Sequence, residues 1–523
     1  MSQKLQDLKI GLDEDLAEKL AWMVPNYGTH RVLRKSVDAR RSSAPHWVVS
    51  VEVFEQGEEA PTPQYEVEKL NLKIEQKPIV IGSGPAGLFA AIRLCERGIP
   101  CILLERGSTG HQRIQSINRF WRYGELDHNN NVCFGEGGAG LYSDGKLITR
   151  IKSDDIPYVM HRFVQFGAPT EIQYLANPHV GSDRIRRVIP KMREYLLQNG
   201  CEIHFDTAMT GLLTERALDN SIQITGVQTS RGTNFFSRHV VLATGHSAED
   251  VIENLRATGV AMEGKSYALG LRIEHPQKQI NKIQYRAHAE HQALGAANYK
   301  LAHHDNQTGI GVYSFCMCPG GYVLSSGTEA GGVVCNGMSN YNRNSPFANA
   351  AVVVSIDHQK MFGENIFAGL EFRKQLEAKA LEMVRQAGGQ HEIPVQRLVD
   401  FLARRSGPAL PSSSPSGMKA VRLDQLLPED LYQRFCYGIR EFHKKMKGFI
   451  CEEAQLHGIE SRTSCPIRIT RDATTLESLS HKGLYPTGEG AGYAGGITSA
   501  ACDGIRVAES ITTQLSQTKA LVP

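Results

Sequence analysis

At 523 residues the chain is longer than one hydrophobic core usually supports, so two or three domains are expected. Apolar residues at 41%, charged residues at 22% and a formal charge of +3 describe an ordinary globular protein, with nothing that demands a nucleic-acid or membrane partner. The opening "MSQKLQDLKIGLDEDLAEKL" lacks the apolar heart of a signal peptide and no stretch is apolar enough to span a bilayer, so a cytoplasmic location is expected. The odd set of scattered cysteines points to reduced thiols and to no metal site.

Residues 1–75 read as a small α+β domain. It has an amphipathic helix, "DEDLAEKLAWMV", two strands, "HRVLRKSVDAR" and "HWVVSVEVF", and a breaking linker, "EQGEEAPTPQYE". Its basic cluster, Arg31, Arg34, Lys35, Arg40 and Arg41, lacks an accompanying aromatic platform and reads as a solvated strand face, so a nucleic-acid partner is not expected.

From residue 78 the pattern turns to strand, helix, strand, which predicts an α/β fold with a parallel, Rossmann-like sheet built from 76–260 and 476–523. Between them, 261–475 mixes strands with polar helices and reads as an inserted α+β substrate or cap domain.

"IVIGSGPAGLFAAIRLCERGIPCILLER" carries the strongest signal. A buried strand runs into Gly82, Ser83, Gly84, Pro85, Ala86 and Gly87, and a helix follows. Glycines at these intervals allow a tight turn, backbone approach to a pyrophosphate and close helix–strand packing, while the helix N-terminus receives the phosphate charge. The next strand ends in Glu105, followed by Arg106, and a carboxylate there suits ribose hydroxyls and disfavours a 2′-phosphate.

Two distant segments favour FAD over NAD. A strand enters Ala243-Thr244-Gly245. Near the C-terminus Gly488-Glu489-Gly490 follows another strand, and Gly495-Gly496-Ile497 opens a helix that can deliver N–H groups to the far end of an extended cofactor. No second glycine fingerprint exists, so either NAD(P)H binds transiently as an electron donor without that motif, or the substrate itself reduces the flavin.

These glycine segments resemble the FAD domain of the flavoprotein group that includes glutathione reductase and fumarate reductase relatives. With "SVDAR", "CFGEGGAGLYSDGKL", "LRIEHPQ", "VYSFCMCPGG", "NGMS", "SRTSCPIRI" and "YPTGEGAGYAGGI", the chain is similar over nearly its whole length to a family of bacterial FAD-dependent dehydrogenases. The resemblance implies tightly held FAD and supplies no substrate. It also implies that Gly137, Gly138, Ala139, Gly140 and Ser143 neighbour the cofactor. Lys146 then either stabilises negative charge on the reduced flavin or is a surface charge.

A flavin performs hydride and electron chemistry, so the protein needs few catalytic groups. His246, next to Gly245, is a candidate proton shuttle or a satisfied hydrogen-bonding residue. Arg272 and Glu274 share one strand face, to bind a substrate carboxylate and handle a proton or to form an internal ion pair. Cys316 and Cys318, on the same face of a strand, are either redox-active or pack around a substrate chamber. The function expected is an FAD-dependent oxidoreductase acting on a small metabolite. The alternatives are an RNA-modifying flavoprotein and a non-catalytic flavin redox sensor or scaffold.

Overall fold

The computed structural model describes residues 2–40, 43–72, 74–305 and 309–520. At the N-terminus, Gln3–Ile10, His46–Glu55 and Tyr27–Asp38 pair in that order as an antiparallel sheet. Alternation in "HWVVSVEVF" turns Val49, Val51 and Val53 to one face, where Ile10 and Leu20 of the helix Leu16–Met23 join them. That helix starts because the Asp15 carboxylate accepts the free Glu18 N–H at 2.9 Å. Each of these fully buried aliphatic side chains stabilises the unit by about 1.5–3 kcal/mol.

The basic cluster is largely engaged by its own chain. Arg31 pairs with Glu52, Arg40 with Asp38, and the Lys35 ammonium sits 4.3 Å above the Trp47 ring. The sequence reading found no aromatic beside these charges. Strand pairing, which sets Val37 opposite Trp47, brings one in, and Lys35 already covers it. Arg41 lies outside the described residues.

The central sheet is wholly parallel, in the order Leu484–Pro486, Val240–Leu242, Ile79–Ile81, Ile102–Leu104 and Glu202–His204. Its inner strands are uninterrupted apolar runs because helices cover both faces. The helix Pro85–Glu96 lies against the helix Ile497–Ala520 so tightly that a Cβ on Gly504 would stand 2.1 Å from the Ala86 carbonyl oxygen. The first and last segments of the main fold are therefore neighbours. All five strands end on one side of the sheet, where open α/β sheets bind ligands.

A seven-stranded sheet follows the order Ala302–Asp305, Ile310–Cys318, Phe347–Ile356, Tyr267–Pro276, Gln455–Glu460, Ile393–Arg397 and Met418–Ala420. The helices Ala368–Gln386 and Glu429–Lys445 pack into its core, around Leu271, Ile273, Val352, Leu376, Phe435 and Phe442. All of its strands lie, in sequence, between two adjacent strands of the parallel sheet, Val240–Leu242 and Leu484–Pro486. No described helix is long and apolar enough to cross a membrane.

Candidate functional site

The cradle is assembled by close backbone contact. A Cβ on Gly87 would lie 1.9 Å from the Gly82 carbonyl oxygen, so only glycine lets the first helical turn approach the strand end. The same holds for Gly490, whose Cβ would stand 2.2 Å from the Gly245 carbonyl oxygen. Gly488 faces Ala86, Gly138 lies against Gly84, and Gly140 lies against Ile497 and Pro85. The Thr498 hydroxyl donates to the Leu147 carbonyl at 2.7 Å, fastening the C-terminal helix start to the glycine loop. Four segments read separately in the sequence, around Gly84, Gly138, Gly245 and Gly490, thus form one recess.

The recess suits an extended dinucleotide. Gly245, Gly495 and Gly496 are exposed and have nothing in the space a side chain would fill, and the last two precede a 24-residue helix whose dipole favours negative charge. Pro85 at the first position of its helix needs no N–H partner and pre-sets the turn. The Ser143 hydroxyl donates to the Gly140 carbonyl at 2.8 Å and accepts the Gly145 N–H at 3.0 Å, closing the glycine loop on which Ala139 is half-buried. At the adjoining strand end Ala243 is buried and Thr244 half-buried.

Glu105 and Arg106 differ from expectation. The Glu105 carboxylate already takes four donors of its own chain: Ser83 N–H at 2.9 Å, Ser83 O–H at 2.6 Å, and Gly107 and Gly135 N–H at 3.0 Å each. It braces the fingerprint turn against the glycine loop. Arg106 is turned away to Asp250 at 2.6 Å, with its guanidinium 4.3 Å over the Phe134 ring.

His246, Cys316 and Glu489 are half-buried; Glu489 is within electrostatic reach of Cys316 and Lys265, and His246 of Arg373 and Arg462. Burial pushes the Glu489 carboxyl up to about 7, with Lys265 opposing and Cys316 adding to the rise. The Cys316 thiol is drawn below its ordinary range by its interaction with the adjacent Cys318 thiol, against burial and with help from the Lys146 and Arg272 charges. The Cys318 thiol, which donates to the Cys316 carbonyl oxygen at 3.2 Å, moves the opposite way, well above its ordinary range, through its interaction with the neighbouring thiol and through burial. Lys146, half-buried, donates from Nζ to the Met317 carbonyl, which sets its charge beside Cys316.

Three expectations need correction. Cys316 and Cys318 do not sit in regular alternation: a bulge interrupts pairing between Phe315 and Cys318, and Cys316 takes φ +45°. His246 is no proton shuttle near neutral pH, because desolvation first, then the Arg373 and Arg462 charges, press its pKa down to about 3. Its neutral ring instead shares a 2.8 Å hydrogen bond with Ser247.

Arg272 and Glu274 do share a face, but that face is enclosed. Arg272 spends its donors on Glu460 at 2.8 and 3.1 Å, Asn349 at 2.7 Å, Asn336 at 3.2 Å and the Cys316 carbonyl at 3.4 Å. Glu274 accepts from Ser413 and stands 3.6 Å from His457. Arg272 therefore positions the Cys316 bulge, and neither buried residue faces an open site.

The sequence reading missed Lys265, Arg373 and Arg462. Arg373 pairs with Glu249 at 2.6 Å, and Arg462 with Glu377 at 2.8 Å, a buried network beside His246. Arg462 stands in "SRTSCPIRI", a segment already noted, but its partners come from distant helices and leave no local pattern.

Residues 75–117 match the family described as FAD binding domain, and residues 266–463 match FAD-dependent protein, C-terminal domain-like. An uncharacterized protein of Clostridium beijerinckii is 38% identical over 535 residues, covering 98% of each chain. Among solved structures, L-amino acid deaminase from Proteus myxofaciens in complex with anthranilate overlaps 95% of this chain and 98% of its own at 11% identity and TM-score 0.34. The halogenase PltM overlaps 86% and 70% at 9% identity and TM-score 0.38.

Proposed function

Because this chain belongs to the family of the Clostridium beijerinckii protein and matches families described as FAD binding domain and FAD-dependent protein, C-terminal domain-like, we propose that it is an FAD-dependent oxidoreductase that oxidises or reduces a small metabolite beside Cys316, Glu489 and Lys146. FAD fits the open glycine cradle and, when bound, supplies hydride and electron transfer. In this reading the backbone N–H groups after Gly84 hold the diphosphate at the middle of the cofactor, and those after Gly496 its flavin end. The segment 261–475 serves as the cap domain that brings Cys316 to the recess, and 1–75 as a separate accessory unit.

Glu489 is the proton carrier. A carboxyl that titrates at about 7 is half-ionised under working conditions and can take or return a proton, whereas an ordinary glutamate is almost wholly ionised there. The Cys316 thiolate and Lys146 ammonium form an opposite-charge pair that orients a polar substrate group. The observation that carries this reading is that Glu489, next to the Gly490–Gly245 contact of the cradle, lies within electrostatic reach of Cys316 from the strand bulge of the other sheet. The basic N-terminal strand face has its aromatic covered, so nothing favours the RNA-modifying alternative.

The test is anaerobic reduction of the purified flavoprotein by a panel of metabolites and by NAD(P)H, followed as loss of flavin absorbance. One metabolite class, or NAD(P)H with a metabolite acceptor, should give fast turnover. Glu489→Gln should slow it roughly a hundredfold or more at unchanged FAD content. Equal rates in Glu489→Gln and wild type would remove Glu489 from the reaction, and no turnover with any donor would favour the sensor alternative.

A further inference from the structure

We propose that this protein has a second small-molecule site, behind the glycine turn Gly138–Tyr142, for a small carboxylate with a flat apolar body. A cavity of about 250 Å³ lies there, walled by Trp121, Tyr142, Arg186, Tyr322, Asn118 and Asn340. The turn separates it from the cradle: Gly138 and Gly140 contact Gly84, Pro85 and Ile497 on one side, while Tyr142 lines the cavity on the other. On the far side the hairpin of Gly321–Ser325 and Cys335–Ser339 presents Tyr322 to the cavity, and packs Val323 and Cys335 on Ile393 and Val395 of the seven-stranded sheet.

Two buried polar atoms mark this as a binding site. The Tyr142 hydroxyl and the Arg186 Nε have no hydrogen-bond partner, although Tyr142 is only 1% exposed. Native interiors pair such groups, and an orphan costs more than a hydrogen bond returns. The neighbouring Arg113 makes the contrast: its guanidinium is also buried against Tyr142, but it donates to the Asn131, Val132, Gly135 and Glu136 carbonyls and so has a structural role. Arg186 lies over the Tyr142 ring at 4.6 Å and has no such set.

The lining defines the ligand. A guanidinium donor beside a phenol that burial keeps protonated makes a two-donor grip for an anionic oxygen. The amides of Asn118 and Asn340 add polar contacts, and Trp121 supplies an apolar wall. The volume is below the roughly 300–1,000 Å³ of sites for drug-sized ligands, so the occupant is small. Because the cavity shares the Gly138–Tyr142 turn with the cradle, occupancy bears directly on the backbone that faces the cofactor.

Phenylacetate and its neutral isostere phenylacetamide test this by calorimetric titration of the FAD-loaded protein. Phenylacetate should bind saturably and phenylacetamide roughly tenfold or more weaker. Arg186→Met should weaken phenylacetate by a similar factor with flavin absorbance per chain unchanged. Should that variant not fold, Met338→Trp, which fills the cavity from the half-buried hairpin face, should abolish phenylacetate binding and keep FAD. No phenylacetate binding at about 10 mM, equal affinity for acid and amide, binding unchanged in either variant, or loss of FAD on Arg186→Met would each overturn the proposal.

Discussion

Cys316 holds φ +45° in a strand bulge, a conformation that a β-carbon disfavours and that persists only where surroundings fix it. Arg272 fixes it through the Cys316 carbonyl, and Lys146 through that of Met317. The thiolate that Lys146 and Arg272 favour is predicted to react with iodoacetamide with a midpoint pH below the ordinary thiol value of about 8.5, with Cys318 inert; a midpoint at or above it would contradict the assignment. The stability that ionised Cys316 contributes is complete above its ordinary pKa and is lost as pH falls through its lowered pKa.

Glu489 has the reverse sign. Its raised pKa means that the protonated form stabilises the fold, fully below the ordinary glutamate range, and that this is lost as pH rises through about 7. The melting temperature of Glu489→Gln minus that of wild type should therefore increase between pH 5 and 8, and a difference independent of pH would show that the carboxyl is not desolvated. Sequence spacing marked where backbone approaches too closely for a side chain, as at Gly87, because such glycine requirements are local. It carried the ionisation of His246 and Cys316 poorly, since desolvation and the charges of Arg373, Arg462 and Arg272 come from remote chain.

Among elements, the strand–turn–helix from Ile79 to Glu96 was legible because buried runs, glycine intervals and Pro85 all act within a few residues. The bulge and the enclosure of Arg272 were not, since one needs the partner strand Phe347–Ile356 and the other Glu460, 188 residues away. That buried pair gives an element-scale prediction. Arg272→Met should destabilise the seven-stranded sheet by about 3–5 kcal/mol in urea unfolding, by stranding the Glu460 carboxylate, and adding Glu460→Leu should recover most of it. Equal losses in the single and double variants would show that the pair is not what holds the sheet. Gly490→Val forces a Cβ against the Gly245 carbonyl and should cost about 1–3 kcal/mol together with most of the bound FAD, read as flavin absorbance per chain; full FAD content would mean the two loops need not touch.

At the scale of the whole molecule, the chain leaves the parallel sheet after Leu242, builds the seven-stranded sheet and returns at Leu484 beside the strand it left. This return sets Gly490 on Gly245 and the C-terminal helix start beside the glycine loop. Composition signalled the change of pattern near residue 261. It gave no hint that Cys316 would come near enough to Glu489 to influence its ionisation, two side chains far apart in sequence. One FAD, gripped at its diphosphate and at its flavin end by segments that open and close the fold, is the claim on which the rest depends. Hydrogen–deuterium exchange on stripped protein before and after FAD addition tests it most directly. Backbone amides at 83–88, 137–143 and 496–500 should gain protection together, saturating at one FAD per chain, whereas protection confined to 83–106, with the C-terminal helix start unchanged, would contradict it.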